Sequence, residues 1–206
     1  MKTIKFLTIA LAMTSFIACD SDSDDTIPVV SITVEDLYAP QEGGQGQPIS
    51  GAFTKFDFDT GMETDSETDW DIAFRASDII VNGGASMGTT DEPDRTGDAG
   101  AYIATGTMEE ITEVDIDLLT QDSESGYAII SGSGNGWYTY SGAPTFLITP
   151  TPGKILVFKT ADGKYAKVEI LSYYQGAPVN PDAFTDQSRY YTFNYVYQPN
   201  SGETTF

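Results

Sequence analysis

The residues that most often carry enzyme chemistry are nearly absent from this sequence. It contains no histidine and a single cysteine, Cys19. A Ser-His-Asp or Cys-His arrangement requires a histidine, so both kinds of nucleophilic catalysis are excluded. Zinc sites are disfavoured for the same reason. The glycine-rich segments do not lead from a strand into a long helix, as phosphate-binding loops do.

Carboxylates are the one reactive group in excess, with 31 aspartates and glutamates. Two carboxylates suffice for glycoside hydrolysis. Among so many carboxylates, close pairs arise by chance. A carboxylate-based hydrolase is therefore the weakest of the functional interpretations of this protein. Two clusters offer oxygen atoms of the kind that calcium prefers. They are Asp57, Asp59, Asp65 and Asp69, and Asp91, Glu92, Asp94 and Asp98. Neither follows the full EF-hand pattern, so we interpret both as solvated loops.

The balance of charge excludes one class of partner. The chain has 10 basic against 31 acidic residues and a formal net charge of −21. Nucleic acids and anionic membrane surfaces are bound through clustered lysine and arginine, which this sequence lacks. A length of 206 residues accommodates one domain with a sizeable core. We place that single β domain at residues 29–206.

The N-terminus has the pattern of a bacterial lipoprotein signal peptide, which we place at residues 1–18. Lys2 and Lys5 precede an apolar run, Phe6–Ile17, and the four residues that end at Cys19 resemble a lipobox. Cys19 is therefore the predicted lipid anchor. The alternative is an ordinary secretory peptide with a chance cysteine. A transmembrane helix is less favoured, because it needs about 20 apolar residues.

An acidic run, Asp20–Asp25, follows the cysteine directly. Its composition predicts a solvated tether, so residues 19–28 form the predicted lipidated, acidic link. An acidic run behind a lipid cysteine resembles the signal that sends some lipoproteins to the outer face of the outer membrane. We therefore expect a lipid-anchored protein of the outer membrane at the cell surface, with the periplasmic leaflet as the alternative.

The clearest structural elements lie near the C-terminus. Lys154–Thr160 and Lys164–Tyr174 read as two strands joined by the turn residues Asp162 and Gly163, which predicts a hairpin. A later strand places four aromatic rings on one face. They are Tyr191, Phe193, Tyr195 and Tyr197. We interpret these rings as the core of a β domain rather than a ligand platform, because aromatic residues are favoured in strands.

Short alternating segments separated by turn residues continue through the rest of the chain. Candidate strands are Val29–Tyr38, Ala52–Phe58, Asp69–Arg75, Asp78–Asn82, Tyr102–Thr105, Tyr127–Ser131, Gly136–Ser141 and Thr145–Thr149. The best helix candidate is one turn at Thr107–Ile111, with Glu110 at the capping-box position. The fold class is therefore all-β, an antiparallel sandwich-like or open-barrel domain with at most one short helix.

Five segments between Val29 and Gln198 together resemble the HmuY family of haem-binding, haemophore-like outer-membrane lipoproteins. They are Trp70–Arg75, Asn82–Gly84, Gly136–Trp137, Ala161–Val168 and Tyr191–Tyr197. The resemblance implies an all-β fold without enzymatic activity. It also implies capture of haem for delivery to an outer-membrane receptor, so that iron acquisition is the expected role.

The sequence departs from the family where haem-binding members carry their axial His or Met ligands. One ligand position corresponds to Ser141 and Gly142, and the other to a residue within about Asp115–Asn135, which contains neither His nor Met. Tyrosine can hold haem iron as a phenolate, and methionine as a thioether. The residues that could replace the missing ligands lie near these positions or in the middle of the chain. They are Tyr127, Tyr138, Tyr140, Met87 and Met108. The alternative for each is a strand aromatic or a gap-filling methionine.

Two functional hypotheses follow from the resemblance and the departure. In the first, the protein captures haem or a similar flat hydrophobic ligand for uptake, with the haem propionates held locally by Arg75, Arg95 or Arg189. In the second, it is a non-haem interaction lipoprotein that kept the fold. It would then bind a glycan, a peptide or a receptor partner through the long loops at 85–100 and 178–187.

Overall fold

The computed structural model describes residues 26–44 and 46–206, so the predicted signal peptide, Cys19 and the acidic run lie outside the described residues. The described chain is built of strands with short connections. Their bounds are β1 Val30–Tyr38, β2 Glu42–Gly44, β3 Gln47–Ser50, β4 Thr54–Asp57, β5 Met62–Thr64, β6 Ile72–Arg75, β7 Asp78–Val81, β8 Gly100–Thr105, β9 Tyr138–Tyr140, β10 Ile148–Pro150, β11 Lys154–Lys159, β12 Tyr165–Tyr174 and β13 Ser188–Gln198. Within the described residues no helix is long and apolar enough to cross a membrane.

Two antiparallel sheets make up most of the structure. The larger has the strand order β1-β13-β12-β11-β8 and the smaller the order β5-β4-β6-β7. The strands β9 and β10 form a separate ribbon, and β2 and β3 another. The sheets do not close into a barrel. The all-β, sandwich-like prediction is therefore confirmed.

Aromatic side chains fill the space between the sheets. Phe193 on β13 lies 5.6 Å from Phe56 on β4, measured between ring centroids, and Tyr191 lies 4.8 Å from Phe74 on β6. All four rings are buried. Each buried phenylalanine stabilises the fold by about 1.5–3 kcal/mol. The row of aromatic residues on the last strand is thus core, as the alternation predicts.

The predicted helical turn at Thr107–Ile111 is a hydrogen-bonded turn and not a helix. The capping pair itself forms, because the Thr107 N–H donates to Glu110 Oε2 over 2.9 Å. The chain then turns, and Ile111 packs on a small apolar cluster on the outer face of the large sheet. Within the described residues the only helical element is a 3-10 turn at Ile116–Leu118.

The strands β2, β3 and β5 form outside the predicted strands, and one predicted strand does not form. The strands β2 and β3 pair across glycines with positive φ, including Gly43 and Gly44, which alternation of side chains does not reveal. The segment Tyr127–Ser131, predicted as a strand, is a loop. Its Ala128 N–H donates to the Asp122 carboxylate rather than to a neighbouring strand.

The register of the large sheet gives the sandwich two distinct ends. Val30 pairs with Tyr197 and Tyr38 with Tyr190, so the N-terminal side of the chain lies beside the end of β13. We call this the proximal end. The start of β13 lies at the opposite, distal end, about 35 Å away at roughly 3.3 Å per residue.

Asp71 joins the two sheets at the proximal end. Its Oδ1 accepts a hydrogen bond from the Ala161 N–H over 2.7 Å, and its Oδ2 accepts one from the Phe58 N–H over 2.9 Å. Burial raises the pKa of the Asp71 carboxyl to about 6, and the two backbone hydrogen bonds only partly offset it. A folded-state pKa above the ordinary value means that the folded protein binds this proton more tightly than the unfolded chain.

Asp71 should therefore make stability depend on pH. Below the ordinary pKa of 3.8 its contribution is complete, and it is lost as the pH rises through about 6. Relative to Asp71→Asn, we expect the free energy of unfolding of the wild type to rise by about 1 kcal/mol between pH 7.5 and pH 5. Urea denaturation at both pH values measures this difference. A difference that is constant or falls with acidification would contradict the assignment.

Candidate functional site at the distal end

Two of the candidate ligand residues, Met87 and Tyr127, line the same surface pocket. The pocket has a volume of about 460 Å³ and lies between the start of β7 and two loops. Its walls are formed by Asp78, Met87, Thr89, Ser125, Gly126, Tyr127, Ile130 and Ser131. We call it the Met87–Tyr127 pocket. Its volume is in the range of pockets that hold small organic ligands.

Arg75 fixes the loop that carries Met87. The guanidinium is buried at the end of β6 and donates to the Thr90 carbonyl over 2.6 Å and to Thr89 Oγ1 over 2.9 Å. It also lies 4.1 Å from the centre of the Phe53 ring, a cation–π contact. The long glycine-rich loop is therefore held against the sandwich.

A buried ion network joins this loop to the opposite wall of the pocket. Arg95 Nη2 lies 2.7 Å from Glu92 Oε1 and 2.9 Å from Asp122 Oδ2. The three side chains are 2%, 1% and 0% exposed. Asp122 also accepts backbone hydrogen bonds from Val81 and Ala128. The expectation that Glu92 belongs to a solvated loop is wrong, because its side chain is buried. The charge of Arg95 compensates for this burial.

The two carboxylates of the network differ in pKa. Burial raises the pKa of Asp122, and this outweighs the opposing hydrogen bonds and Arg95. Burial also acts on Glu92, but hydrogen bonds from Thr89 and Met87 together with the charge of Arg95 hold its pKa below the ordinary value. Glu92 therefore carries the more firmly fixed negative charge beside the pocket.

Tyr127 is half-buried, and its ring packs on a small apolar cluster that includes Phe53 and Trp70. Its hydroxyl is enclosed, lies beside the Thr89 side chain and makes no hydrogen bond of normal geometry among the described residues. Burial raises the pKa of the phenol, and the Thr89 side chain only partly offsets this. The group is thus a neutral, enclosed hydroxyl close to a pocket.

Replacing Tyr127 with phenylalanine should not destabilise the protein. The enclosed hydroxyl lies beside Thr89 without a hydrogen bond of normal geometry, so we expect the free energy of unfolding to stay the same or to rise by up to about 1 kcal/mol. Tyr191→Phe is the matched control, because the Tyr191 hydroxyl donates to the Ala76 carbonyl over 2.8 Å. That variant should lose about 1 kcal/mol. Denaturant unfolding compares the two, and a loss in Tyr127→Phe would show that its hydroxyl has a partner.

The other three candidate ligands lie elsewhere. Tyr138 is buried, and its hydroxyl accepts a long hydrogen bond of 3.5 Å from Ser77 Oγ. Tyr140 lies further along β9 and is exposed. Met108 packs on the outer face of the large sheet, with Val114 and Ile155. The structure therefore brings only Met87 and Tyr127 of the five into one pocket.

Two exposed phenylalanines at the distal end were missed by the sequence analysis. Phe146 lies in the turn between β9 and β10, and Phe184 in the loop before β13. Their ring centroids are 5.8 Å apart and the rings are nearly perpendicular. A lone phenylalanine in each polar loop was the only available signal, and spacing alone could not pair them.

The acidic clusters form no cation site that the structure supports. A pocket of about 350 Å³ at the proximal end is lined by several carboxylates, including Asp57, Asp59 and Asp69. Across residues 26–44 and 46–206, no three Asp, Glu, His or Cys side chains are arranged to hold a metal ion.

The sequence matches the model of one protein family, HmuY protein, over residues 51–195. The chain belongs to the HmuY family. This match covers most of the described sandwich, including β4 to β12 and the start of β13. The recognition of the family from sequence segments is thereby confirmed. No curated protein matches the sequence at a significant level.

Three solved structures resemble this chain at low sequence identity, and the first of them shares its fold. The apo HmuY analogue of Tannerella forsythia is 13% identical, with a TM-score of 0.53, and covers 86% of this chain and 100% of its own. A Bacteroides fragilis protein classed as a lipoprotein is 15% identical, with a TM-score of 0.48, covering 85% and 95%. A Bacteroides vulgatus protein classed as HmuY-like and haem-binding is 16% identical, with a TM-score of 0.39, covering 84% and 93%.

At the positions where the sequence resemblance places axial ligands, the side chains present do not form a pair that could hold iron. Ser141 Oγ is 2.7 Å from Thr145 Oγ1 and accepts a hydrogen bond from the Leu147 N–H, so it is engaged within its own turn. Met87 and Tyr127 share one pocket, but the Tyr127 hydroxyl is enclosed. The residues present therefore do not fit paired axial ligation of haem iron.

The arginines also do not fit the expected contact with haem propionates. Arg75 and Arg95 are used by the pocket loops, as described above. Arg189 donates to the Gln41 carbonyl over 2.8 Å. The charged side chain that lines the pocket is Asp78, which repels a carboxylate. The distal end fits the apolar face of a ligand better than its charged edge.

Proposed function

We propose that the protein is a lipid-anchored binding protein that captures haem or a similar flat hydrophobic ligand at its distal end. One observation carries the proposal: exposed apolar side chains gather there, on loops that buried ion pairs and hydrogen bonds hold in place. They are Met87, Ile130, Tyr140, Phe146 and Phe184. An exposed apolar patch on a rigid scaffold marks a binding surface.

The segments that carry these side chains follow one another along the distal end. Ile130 lines the Met87–Tyr127 pocket. The next loop reaches β9, because the Tyr140 N–H donates to Ser133 Oγ over 2.8 Å. From β9 the chain continues through the turn to Phe146, which touches Phe184. We call these side chains and the Met87–Tyr127 pocket the distal surface.

The position of the distal surface suits a role outside the membrane. The predicted anchor at Cys19 and the tether of residues 19–28 would join the domain of residues 29–206 at its proximal end, where Ile27 is hydrogen-bonded to Asn200. The ligand surface would then face away from the outer membrane and towards ligand or a receptor. A role in iron acquisition, without catalysis, is what the sequence resemblance to the HmuY family implies, and the chain belongs to that family.

A titration of residues 26–206 with haemin tests the proposal. We expect saturable binding at one equivalent, with a Soret band weaker and less shifted than that of a protein with two axial ligands. Serum albumin is the positive control. A linear, non-saturating response would reject haem capture.

The non-haem hypothesis draws on one observation of its own. In the loop at 178–187, Phe184 and Val179 are 73% and 94% exposed. A glycan, peptide or receptor partner could cover them. Failure of haemin to bind, together with binding of a partner that Phe184→Ala abolishes, would favour this second function.

A further inference from the structure

The strand β1 forms an open edge of the large sheet. It pairs with β13 on one side, and no backbone hydrogen bond joins Val30–Val34 to anything else among the described residues. The opposite edge is covered, because Ala101 on β8 exchanges backbone hydrogen bonds with Thr120 over 2.8 and 3.1 Å. Every second residue of an edge strand directs its N–H and C=O outward, where only water or another extended chain can satisfy the row. We call Val30–Val34 the open edge.

The open edge lacks the features that usually prevent sheets from pairing with one another. Residues 26–34 carry no charge, in a chain with a net charge of −21. A bulge interrupts the pairing with β13 only after Val34. Val30 and Ile32 are each 37% exposed. Edge strands are ordinarily protected by charged side chains or by bulges, so this edge favours the addition of a strand.

The side chains of the open edge match those of a second copy in antiparallel orientation. Val30, Ile32 and Val34 share the core face of the sheet, because they pair with core residues of β13. A two-fold axis at Ile32 places this residue opposite its own copy and Val30 opposite Val34. Ser31 then lies opposite Thr33. Apolar side chains meet apolar ones and hydroxyls meet hydroxyls, which are favourable cross-strand pairs.

The charges of the strand do not oppose this register. Glu35 is the first charged residue after the open edge, and it would lie opposite the uncharged Val29 of the other copy. The two Glu35 side chains would be about 20 Å apart along the strand. That distance exceeds the Debye length of about 8 Å at physiological ionic strength, so salt screens their repulsion. What remains is the general repulsion between two acidic domains.

We infer that the open edge pairs with the open edge of a second copy, in an antiparallel dimer with Ile32 at its two-fold axis. The pairing joins two five-stranded sheets into one continuous sheet. It goes beyond the proposed function and does not depend on it. The proximal ends of the two copies point in opposite directions in such a pair. Two anchored copies would then lie along the membrane, as an alternative to the upright single copy.

Sedimentation equilibrium of residues 26–206 between about 10 μM and 1 mM tests the dimer. Stable interfaces bury about 1,200–2,000 Å², and two short strands bury less, so we expect a dissociation constant of about 100 μM. Added salt should strengthen the dimer, because it screens the repulsion between the two acidic domains. A monomer at the highest concentration, or a dimer that salt weakens, would overturn the inference.

Single cysteines test the register, because Cys19 is the only native cysteine and lies outside residues 26–206. Residues directly opposite in antiparallel strands have Cα atoms about 4.5–5.5 Å apart, which suits a disulfide. Ile32→Cys should therefore form a disulfide-linked dimer on mild oxidation with copper phenanthroline. Val30→Cys is the matched control, since Val30 is equally exposed but would lie about 13 Å from its own copy. Equal cross-linking of both variants, or of Val30→Cys alone, would overturn pairing at Ile32.

Ile32→Lys should weaken the dimer at least about tenfold, because like charges directly opposite each other destabilise a strand pair. Ile49→Lys is its control. It adds the same charge at a residue that is 46% exposed on β3, and it should leave the dimer unchanged. A dimer that survives Ile32→Lys would contradict the inference. Thermal unfolding of both variants shows that a loss of the dimer is not a loss of fold.

Discussion

Arg95→Ala is expected to lower the free energy of unfolding by about 3–5 kcal/mol. The change removes the cation shared by Glu92 and Asp122, whose side chains are 1% and 0% exposed. Two buried carboxylates would then face each other without compensation. Because Asp122 also anchors Ala128, the loop that carries Tyr127 should loosen with it. Urea denaturation at pH 7.5 measures the loss.

Arg189→Ala is the matched control for Arg95→Ala. Its guanidinium donates to one backbone carbonyl, that of Gln41, and pairs with no carboxylate within the described residues. We expect a loss of about 1 kcal/mol. Similar losses in the two variants would show that the Glu92–Arg95–Asp122 network adds little beyond a single hydrogen bond.

Asn82→Ala is expected to cost about 3 kcal/mol or more. The Asn82 amide is fully buried and donates to the Thr68 and Trp70 carbonyls over 3.0 and 2.8 Å. Its Oδ1 accepts from the N–H groups of Thr96 and Gly97. Alanine leaves these backbone groups without partners, each at a cost of about 1–3 kcal/mol. Denaturant unfolding and amide exchange at Thr96 and Gly97 report the change.

A graded series distinguishes lost hydrogen bonds from lost packing at this position. With its carboxyl neutral, Asn82→Asp keeps the acceptor oxygen and has one O–H donor in place of two N–H donors, so its cost should be smaller than that of Asn82→Ala. Asn82→Leu keeps the volume but no polar atom. A leucine variant as stable as the wild type would contradict the role of the side chain as a clamp.

The architecture could be predicted where strands bury one face. Alternation identified the aromatic row of β13, since side chains on a strand alternate between two faces, and the turn residues Asp162 and Gly163 identified the hairpin of β11 and β12. It could not identify the short ribbon of β2 and β3, which depends on glycines with positive φ. The Tyr127–Ser131 segment is a short apolar run of the kind that predicts a strand, but its Ala128 N–H donates to the Asp122 carboxylate instead.

The candidate site was less predictable, because it is assembled by contacts distant in sequence. Arg95 and Asp122 are 27 residues apart, and nothing in the local pattern pairs them. Met87 and Tyr127 were singled out separately, and only the folded loops bring them to one pocket.

The segments that identify the family are mostly structural. Asp71 and Asn82 hold loops through backbone hydrogen bonds, and a Cβ on Gly83 would collide with the Ala99 carbonyl. Trp137 Nε1 donates to the Ser77 carbonyl over 3.0 Å. Family membership therefore follows from positions that build the fold, whereas the ligand surface is free to differ.

Mapping the ligand by NMR on residues 26–206 tests the central claim most directly. Metal-free protoporphyrin is the suitable probe, because it does not broaden signals as paramagnetic iron does. We predict that perturbed amides at one equivalent cluster at residues 86–90, 125–134, 141–147 and 182–186 of the distal surface. Perturbations centred on the proximal end, around Asp59, Asp69 and Asp162, or shifts spread over the whole protein, would contradict the account.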